Sequence, residues 1–529
     1  MTQRETQMAK YWQHFSLTNN DVEFLFKQMV DSNFPHSAQE LAVALIESRC
    51  QAEEVAMRAE IKDGVIYQPR GSYQVGDELV FPRLQYALGK VVKQRKGYNP
   101  QYGEFSVIAV DFGPAEGTRE FSADFDMPHP LNLGDGQALA EAEGTSSPAE
   151  LFALYGNLIL PKLGQGLQER EEFLSFGDQW LLKDMAIPIH AGHLNIAEAA
   201  IDIQDSSLAT STLLRDFDDL PADSSLALQE LSLNATLAAD PRFVNVGPAG
   251  EVRWYLQRLV PPDLDRLPDP LRLPDFSYDV KFLDNEMRQL LKEIDDETIP
   301  ADMQAPPDPN ARSVTLVLSQ PHRRSGTLPV LNKNAHLFPQ ADEDFLRITF
   351  IDKDTGDRFP GWVVSRYNFV SGLGDWYQSR QLPVGAYVTL EAGTDPLNVV
   401  ISYQYVRPTR KWVRGAVAQR DRIGFQNVRM IIPSEFDDFT IVGIENDRAV
   451  DELWLKHDDK KPLLPLLRQV VLELVKISPQ GNVHAKTLYS ALNVIRRCPP
   501  APIFYELAAS SSFVPMGNGY WAYDASRDR

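Results

Sequence analysis

One phrase occurs twice in this chain, and it restricts the fold more than any other feature. LAADPRFVNVG runs from Leu237 to Gly247, and LAASSSFVPMG runs from Leu507 to Gly517. Six of the eleven positions are identical: Leu, Ala, Ala, Phe, Val and Gly. A phrase repeated at such a distance marks two copies of one supersecondary unit, so the chain is a string of small folds. Its 529 residues are also too many for a single hydrophobic core.

The surroundings of the phrase say which unit it is. In the later copy, PLLPLLRQVVLELVKI spaces Leu466, Val470 and Leu474 four apart, as one face of a helix. His484 to Ile495 reads as a second helix, and PPAPIFYELAA as a third that starts on prolines, which a first turn tolerates. SFVPMGNGYWAYD then reads as two short strands around Gly517-Asn518-Gly519. In the earlier copy, HLNIAEAAIDI, ATSTLLRDF and LALQELSLNATLAAD supply the helices, and RFVNVGPAGEVRWYL supplies the hairpin. Three helices closed by a two-stranded wing make a winged helix-turn-helix. The phrase is then the end of the third helix entering the wing, with Leu237/Leu507 and Phe243/Phe513 facing the core and the glycine opening the turn. Trp254 and Trp521 follow.

This pattern resembles the HARE-type winged helix found in the delta subunit of bacterial RNA polymerase and in proteins attached to restriction enzymes. The resemblance implies a place in transcription or DNA-transacting machinery. A groove-reading third helix needs Arg, Lys, Asn or Gln facing the DNA. Neither third helix here has a Lys or Arg, so both are expected to contact protein.

The expected fold class is α+β multidomain: two winged helix-turn-helix domains, an SH3/Tudor-like small barrel and a larger mostly-β barrel. The boundaries read as a helical region 1–62, the small barrel 63–130, and a helical region with the first winged helix 150–260. A Pro/Asp-rich connector 261–312, a β-barrel 313–450 and the C-terminal winged helix 451–529 complete the chain. LGDGQALAEAEGTSSPAE reads as a solvated linker, and Asp295-Asp296-Glu297 as a solvated acidic run.

Net charge is −21, which as a whole opposes coating of nucleic acid. The imbalance is local, however: from Ser313 to Val450 there are sixteen Lys/Arg against fifteen Asp/Glu. Two basic strips stand out. VRPTRKWVRGAVAQRDR sets Arg407, Arg410, Lys411, Arg414, Arg420 and Arg422 against Asp421 alone, with Trp412 inside the run. Basic residues interleaved with an aromatic suit a phosphate backbone and its bases. RLQYALGKVVKQRKGYNPQYG carries Arg83, Lys90, Lys93, Arg95 and Lys96, with Tyr98 and Tyr102 as stacking rings. Its approach, YQVGDELVFP then GKVV, is similar to the Tudor-like barrel of CarD-type polymerase-binding proteins. The layout around TLPVLNKNAHLFP and Leu382-Pro383-Val384-Gly385 resembles the DNA-binding pseudobarrel of plant transcription factors and some restriction enzymes. That likeness puts His322-Arg323-Arg324 and Lys333 on opening loops.

Catalytic signatures are missing from the sequence: no phosphate-binding Gly-rich loop, no dinucleotide fingerprint and no nucleophile elbow. His190 and His193 read as a helix-start pair, and Arg496-Arg497 as a solvated pair at a loop. No cofactor or metal is expected. No run of eighteen apolar residues occurs, so no membrane partner is expected. MTQRETQMAKYWQHF has no apolar segment behind a basic one, so no signal peptide is expected. Cys50 and Cys498 are the only cysteines, which fits a reducing cytoplasm.

The expected function is that of a non-enzymatic adaptor or regulator in bacterial transcription or chromosome transactions. It would bind DNA weakly through the basic strips, and a protein partner, such as RNA polymerase or a nuclease subunit, through the winged helices. The alternatives are an interaction subunit of a restriction or phage-defence system, or a nuclease with an unrecognised site.

Overall fold

A computed structural model describes residues 4–60, 65–81, 84, 87–113, 117–127, 129–132, 146–221, 223–456 and 461–527. Arg83 and most of the acidic stretch read as a linker lie outside these residues.

After a short helical turn at Ala9–Gln13 come helix α1 (Asn19–Ser32), strand β1 (His36–Ser37) and helix α2 (Ala38–Glu60). Thr18 starts α1 by accepting from the Asp21 amide, while the Asp21 carboxylate accepts from the Thr18 amide. Next comes a five-stranded sheet, β2 (Val65–Ile66), β3 (Glu78–Phe81), β4 (Ala87–Asn99), β5 (Gly103–Asp111) and β6 (Thr118–Ala123), in sequential order. Helix α3 (Pro148–Gln168) starts on a reciprocal Ser147/Glu150 cap, and strands β7 (Phe173–Phe176) and β8 (Gln179–Leu182) follow. Helix α4 (Ala191–Gln204), β9 (Leu208–Ala209), α5 (Thr210–Leu213), α6 (Leu226–Ala239), β10 (Phe243–Asn245) and β11 (Arg253–Leu256) come next.

After helix α7 (Asn285–Lys292) the β-rich region begins. It holds β12 (Ser313–Val317), helix α8 (Gln320–Ser325), β13 (Thr327–Pro329), β14 (Phe345–Asp352), β15 (Arg358–Val364) and β16 (Phe369–Ser371). Helix α9 (Gly374–Ser379), β17 (Tyr387–Ala392) and β18 (Asn398–Tyr403) complete a curled seven-stranded sheet, ordered β12-β17-β18-β14-β15-β16-β13. Two long strands, β19 (Tyr405–Gln419) and β20 (Arg422–Ser434), leave that sheet and pair with each other, and β21 (Gly443–Ile444) joins the far side of β19. The larger expected barrel is thus two sheets. The C-terminal elements are α10 (Leu463–Ile477), β22 (Val483–His484), α11 (Ala485–Ile495), α12 (Pro500–Ala509), β23 (Phe513–Gly517) and β24 (Tyr520–Tyr523).

Three places repeat the order helix, short strand, helix, helix, strand, strand. The sheet order is the same each time: β1-β8-β7, β9-β11-β10 and β22-β24-β23. The register agrees to the residue. A Trp of the last strand faces the short first strand: His36↔Trp180, Leu208↔Trp254 and Val483↔Trp521. Two residues on, the same strand meets the phenylalanine: Phe173↔Leu182, Phe243↔Leu256 and Phe513↔Tyr523. The first copy was not expected from the sequence, because the β2–β6 sheet separates its second helix from its third. Its version of the phrase is LQEREEFLSFG, which keeps Leu167, Phe173 and Gly177 at the same spacing without the alanines. Leu167, Leu237, Leu507 and the three phenylalanines are all buried.

By contact the chain divides into two units, residues 1–193 with 217–239, and residues 194–216 with 240–529. In the first unit, Trp12, Leu25, Met29, Leu45 and Ile159 share a core with Leu163, Leu167 and Trp180. Tyr67, Phe81 and Ile108 centre the β2–β6 sheet. In the second unit, Leu346, Phe350, Val370 and Val388 fill the curled sheet. Its other main core joins Leu283, Met287 and Leu291 to Leu467, Leu492, Phe504 and Trp521. The segment 261–312 is therefore no free connector over its second half. Burying Leu283, Met287, Leu290, Leu291, Ile294 and Ile299 contributes on the order of 10 kcal/mol as an upper bound.

Candidate nucleic-acid interface

The register of the β19–β20 hairpin decides what its basic residues can do. Gln419 pairs with Arg422, leaving Arg420-Asp421 as a two-residue turn, with Arg420 at φ 45°. Side chains alternate across a strand, so Arg410, Trp412 and Arg414 share one face with their cross-strand partners Ile431, Arg429 and Asn427. Further toward the turn, the same face is apolar, and Ala416, Ile423 and Phe425 are buried in the core that holds α10. On the opposite face Val413, Val417, Val428 and Ile432 pack beneath Val442 and Phe436. The hairpin is thus anchored by one face along its length and by the other only near its turn. The remaining patch, about 14 Å long from Arg410 to Arg414 at strand rise, stays open.

Trp412 is 70% exposed, Ile431 58% and Tyr405 60%. Arg407, Arg410, Arg420 and Arg429 are exposed and have no ion pair among the described residues. Arg414 donates to the backbone carbonyl of Asp438, which holds it at the rim with its charge uncompensated. Lys411 lies on the packed face, its Nζ 5.5 Å from the Phe436 ring centre. Arg422 reaches Glu473 at 3.5 Å. Of the residues singled out in this run, the structure gathers Arg410, Trp412 and Arg414 into one patch. It sets Lys411 on the opposite face and Arg420 and Arg422 at the turn, with Arg407 beyond a register shift between Tyr405 and Thr409. Asn427, Arg429 and Ile431 were missed. A two-residue turn at Arg420-Asp421 already dictates that Arg429 faces Trp412, so the signal was present.

The strip on β4 is different. Lys90 stands opposite Glu78 on one side and Asp111 on the other. Arg95 makes a double contact with Glu120, with Nη2 at 2.6 Å and Nε at 3.1 Å. The Arg95 hydrogen bond, then the Arg95 and Lys93 charges, hold the Glu120 carboxyl below its ordinary value. Lys93 and Lys96 are exposed, and Tyr98, itself 72% exposed, is paired with Glu104. Carboxylates interleave this strip.

Three donors converge at the start of α4: His190, His193 and Asp219, whose ligand-type atoms lie within 4.8 Å of one another. The Gly192 amide donates to His190 Nδ1 at 3.1 Å, and the His190 amide donates to His193 Nδ1 at 3.3 Å. A ring nitrogen that accepts an N–H carries no proton, so each neutral ring keeps its proton on Nε2. Those Nε2 atoms face Asp219 at 3.2 and 2.6 Å. The rings are stacked, centroids 3.8 Å apart and 20° between planes. Both Nε2 atoms thus converge on the one Asp219 carboxylate. The pair read as a helix start therefore also has a carboxylate, Asp219, against both rings.

Three other expectations fail. Arg497 is buried, donating to both Asp296 oxygens at 2.8 and 2.9 Å and to Glu297 at 2.9 Å. Tyr489 donates to Asp296 at 2.6 Å, and His322 faces Glu297 at 2.8 Å. Asp295 is buried too and pairs with Lys333 at 2.5 Å. The supposed solvated acidic run is the anion set of a buried network, and neither Arg496 nor Arg497 is available to a phosphate. Burial pushes the Glu297 carboxyl up, but the Arg497 and His322 charges overcome this and leave it well below the ordinary range. His322 and Arg324 are likewise not on an open loop: they sit on α8, with Arg324 over Trp454.

A cavity of about 910 Å³, open to solvent, is lined in part by Asp352, Asp357, Asp375 and Arg380. Its most buried carboxylate, Asp352, accepts from Trp376 at 2.6 Å and from Arg380 at 2.7 Å, so it is already engaged. No helix is long and apolar enough to cross a membrane among the described residues. Comparison with protein-family models, curated proteins and solved structures gives no match to this chain.

Proposed function

We propose that this chain is a nucleic-acid-associated adaptor. The β19–β20 hairpin presents the nucleic-acid surface, and three winged-helix units serve as docking folds for protein. The reading rests on one observation: exposed arginines without carboxylate partners, on both strands of one hairpin, flank an exposed tryptophan in a chain of net charge −21. Such a patch in an acidic protein attracts phosphate locally while the remaining surface keeps binding weak and salt-sensitive.

The shared sheet order and the Trp and Phe registers support three winged helices. Their third helices, α3, α6 and α12, carry Lys162 as their one basic residue, which disfavours groove entry. α12 is also engaged within its own unit, Tyr505 meeting Phe282 edge-on with ring centres 5.5 Å apart. The test is oligonucleotide binding by the full chain over a salt series. Arg410→Glu with Arg429→Glu should abolish retention at moderate salt. An unchanged affinity and salt slope would remove nucleic acid from the function.

A further inference from the structure

We infer that the hairpin patch selects single-stranded over duplex nucleic acid, with Trp412 as the platform on which one base stacks; this rests on the nucleic-acid reading above. Three observations carry it.

The first is the position of the indole. Trp412 is 70% exposed at the middle of the patch, with Arg410 and Arg414 each two residues away on its own strand and Arg429 directly opposite. Two residues of strand span about 6.8 Å, so an arginine stands on either side of Trp412 along the strand, Arg414 being held at the rim by the Asp438 carbonyl. A base reaches an indole face only when unstacked from its neighbours, which a single strand permits and an intact duplex does not. The second is composition. The patch has the donors of Arg410, Arg414 and Arg429 and one amide, Asn427, beside the apolar surfaces of Trp412 and Ile431. Stacking and phosphate attraction both tolerate any sequence, whereas a major-groove ribbon needs several polar side chains aimed at base edges. The third is charge. A duplex brings phosphates of two strands at about one charge per 1.7 Å, twice the line density of either strand. A chain of net charge −21 with a patch only a few residues wide meets that density with more repulsion than attraction.

The shared chemistry, a base face with a flanking phosphate, belongs to DNA and RNA alike, so both are probes. The full chain is titrated against short labelled single-stranded DNA, the same sequence as RNA, and its duplex, at several salt concentrations. Single strands should bind roughly tenfold or more tighter than duplex. Trp412→Ala should weaken single-strand binding by about tenfold, the loss of one stacked base, with an unchanged salt slope and unchanged duplex binding. Trp412→Phe should restore most of it. Arg410→Glu with Arg429→Glu should instead reduce the slope by about 0.7 per lost phosphate contact. Because Trp412 is exposed, the thermal melt of Trp412→Ala should match the parent and confirm that it folds. Equal or tighter duplex binding, or a neutral Trp412→Ala, overturns the single-strand inference and leaves the adaptor reading standing. Binding to neither form, in parent and variants alike, overturns both.

Discussion

The strips on β4 and β19 read alike as sequence, each a run of Lys and Arg with aromatic residues alongside. As surfaces they differ, and the difference lies on the neighbouring strands. Lys90 stands opposite Glu78 and Asp111 in the ladder, and Arg95 reaches past β5 to Glu120 on β6. Arg410, Trp412 and Arg414 meet Ile431, Arg429 and Asn427, none of them acidic. A charge run in a strand has no electrostatic meaning until its pairing register is known, because cross-strand neighbours sit closer than neighbours along the chain.

Arg497 extends the comparison to a basic residue that is wholly paired, and there the largest effect is expected. Arg497→Met would leave Asp296 and Glu297 buried without their cation, a change of about 3–5 kcal/mol in general experience. The second unit should lose most of its thermal stability in a melt, with the first unit's transition little moved. A variant that melts like the parent would show that the buried carboxylates relax to water or take up protons without cost.

Next in size is the reversal of the hairpin arginines. Arg410→Glu with Arg429→Glu should weaken oligonucleotide binding by about 100-fold or more at low salt, since each change removes an attractive charge and adds a repulsive one. Lys93→Glu with Lys96→Glu on β4 should change it less than about twofold. Equal losses from the two pairs would break the contrast between the strips.

An acid-sensitive step should also separate the hairpin from the β2–β6 sheet. Burial, followed by the nearby Lys486 charge, pushes the His484 imidazole down to about 4, with Asp437 opposing. The unfolded chain then binds a proton that the folded one refuses between about pH 6.5 and about pH 4. Stability from this group is complete above that window and declines as pH falls through it. His484 stacks on Phe439 at 3.9 Å, and Lys486 grips Asp437 at 2.7 Å, in the segment that covers the packed face of the hairpin. His484→Asn keeps an acceptor for the Lys486 amide and should flatten the decline in chemical-denaturation midpoints across pH 6.5 to 4.

Much of this architecture was legible in sequence because it is local. The Gly517-Asn518-Gly519 turn takes positive φ at all three residues, 81°, 52° and 75°, as such a triplet invites. Proline starts and apolar periodicity likewise located α10 and α12. Non-local facts were not legible. The first repeat was concealed by an inserted sheet, although Leu167, Phe173, Gly177 and Trp180 were in plain view. The Asp296–Arg497 network joins residues two hundred positions apart, and no window along the chain pairs them. The hairpin patch lies between these cases. Its β19 half was visible as a basic run, and its β20 half required only the turn at Arg420-Asp421 to be counted through.

The smallest expected effect is the most direct test of why the β4 strip is silent. If Glu120 neutralises it, Glu120→Gln should release Arg95 from its bidentate contact and leave Lys93 with one fewer counter-charge nearby. The side chain is exposed and its replacement nearly isosteric, so folding should be unaffected, and a matching melt would establish that. Binding of a short single-stranded oligonucleotide at low salt should then rise by roughly twofold, with the gain lost again as salt screens the exposed charges. The rise should persist in the Arg410→Glu, Arg429→Glu background, where the hairpin no longer contributes. Without a gain in either background, carboxylates would not explain the difference between the strips. The weight would then fall on the exposed tryptophan, which β4 lacks and for which Tyr98 and Tyr102 are its nearest equivalents.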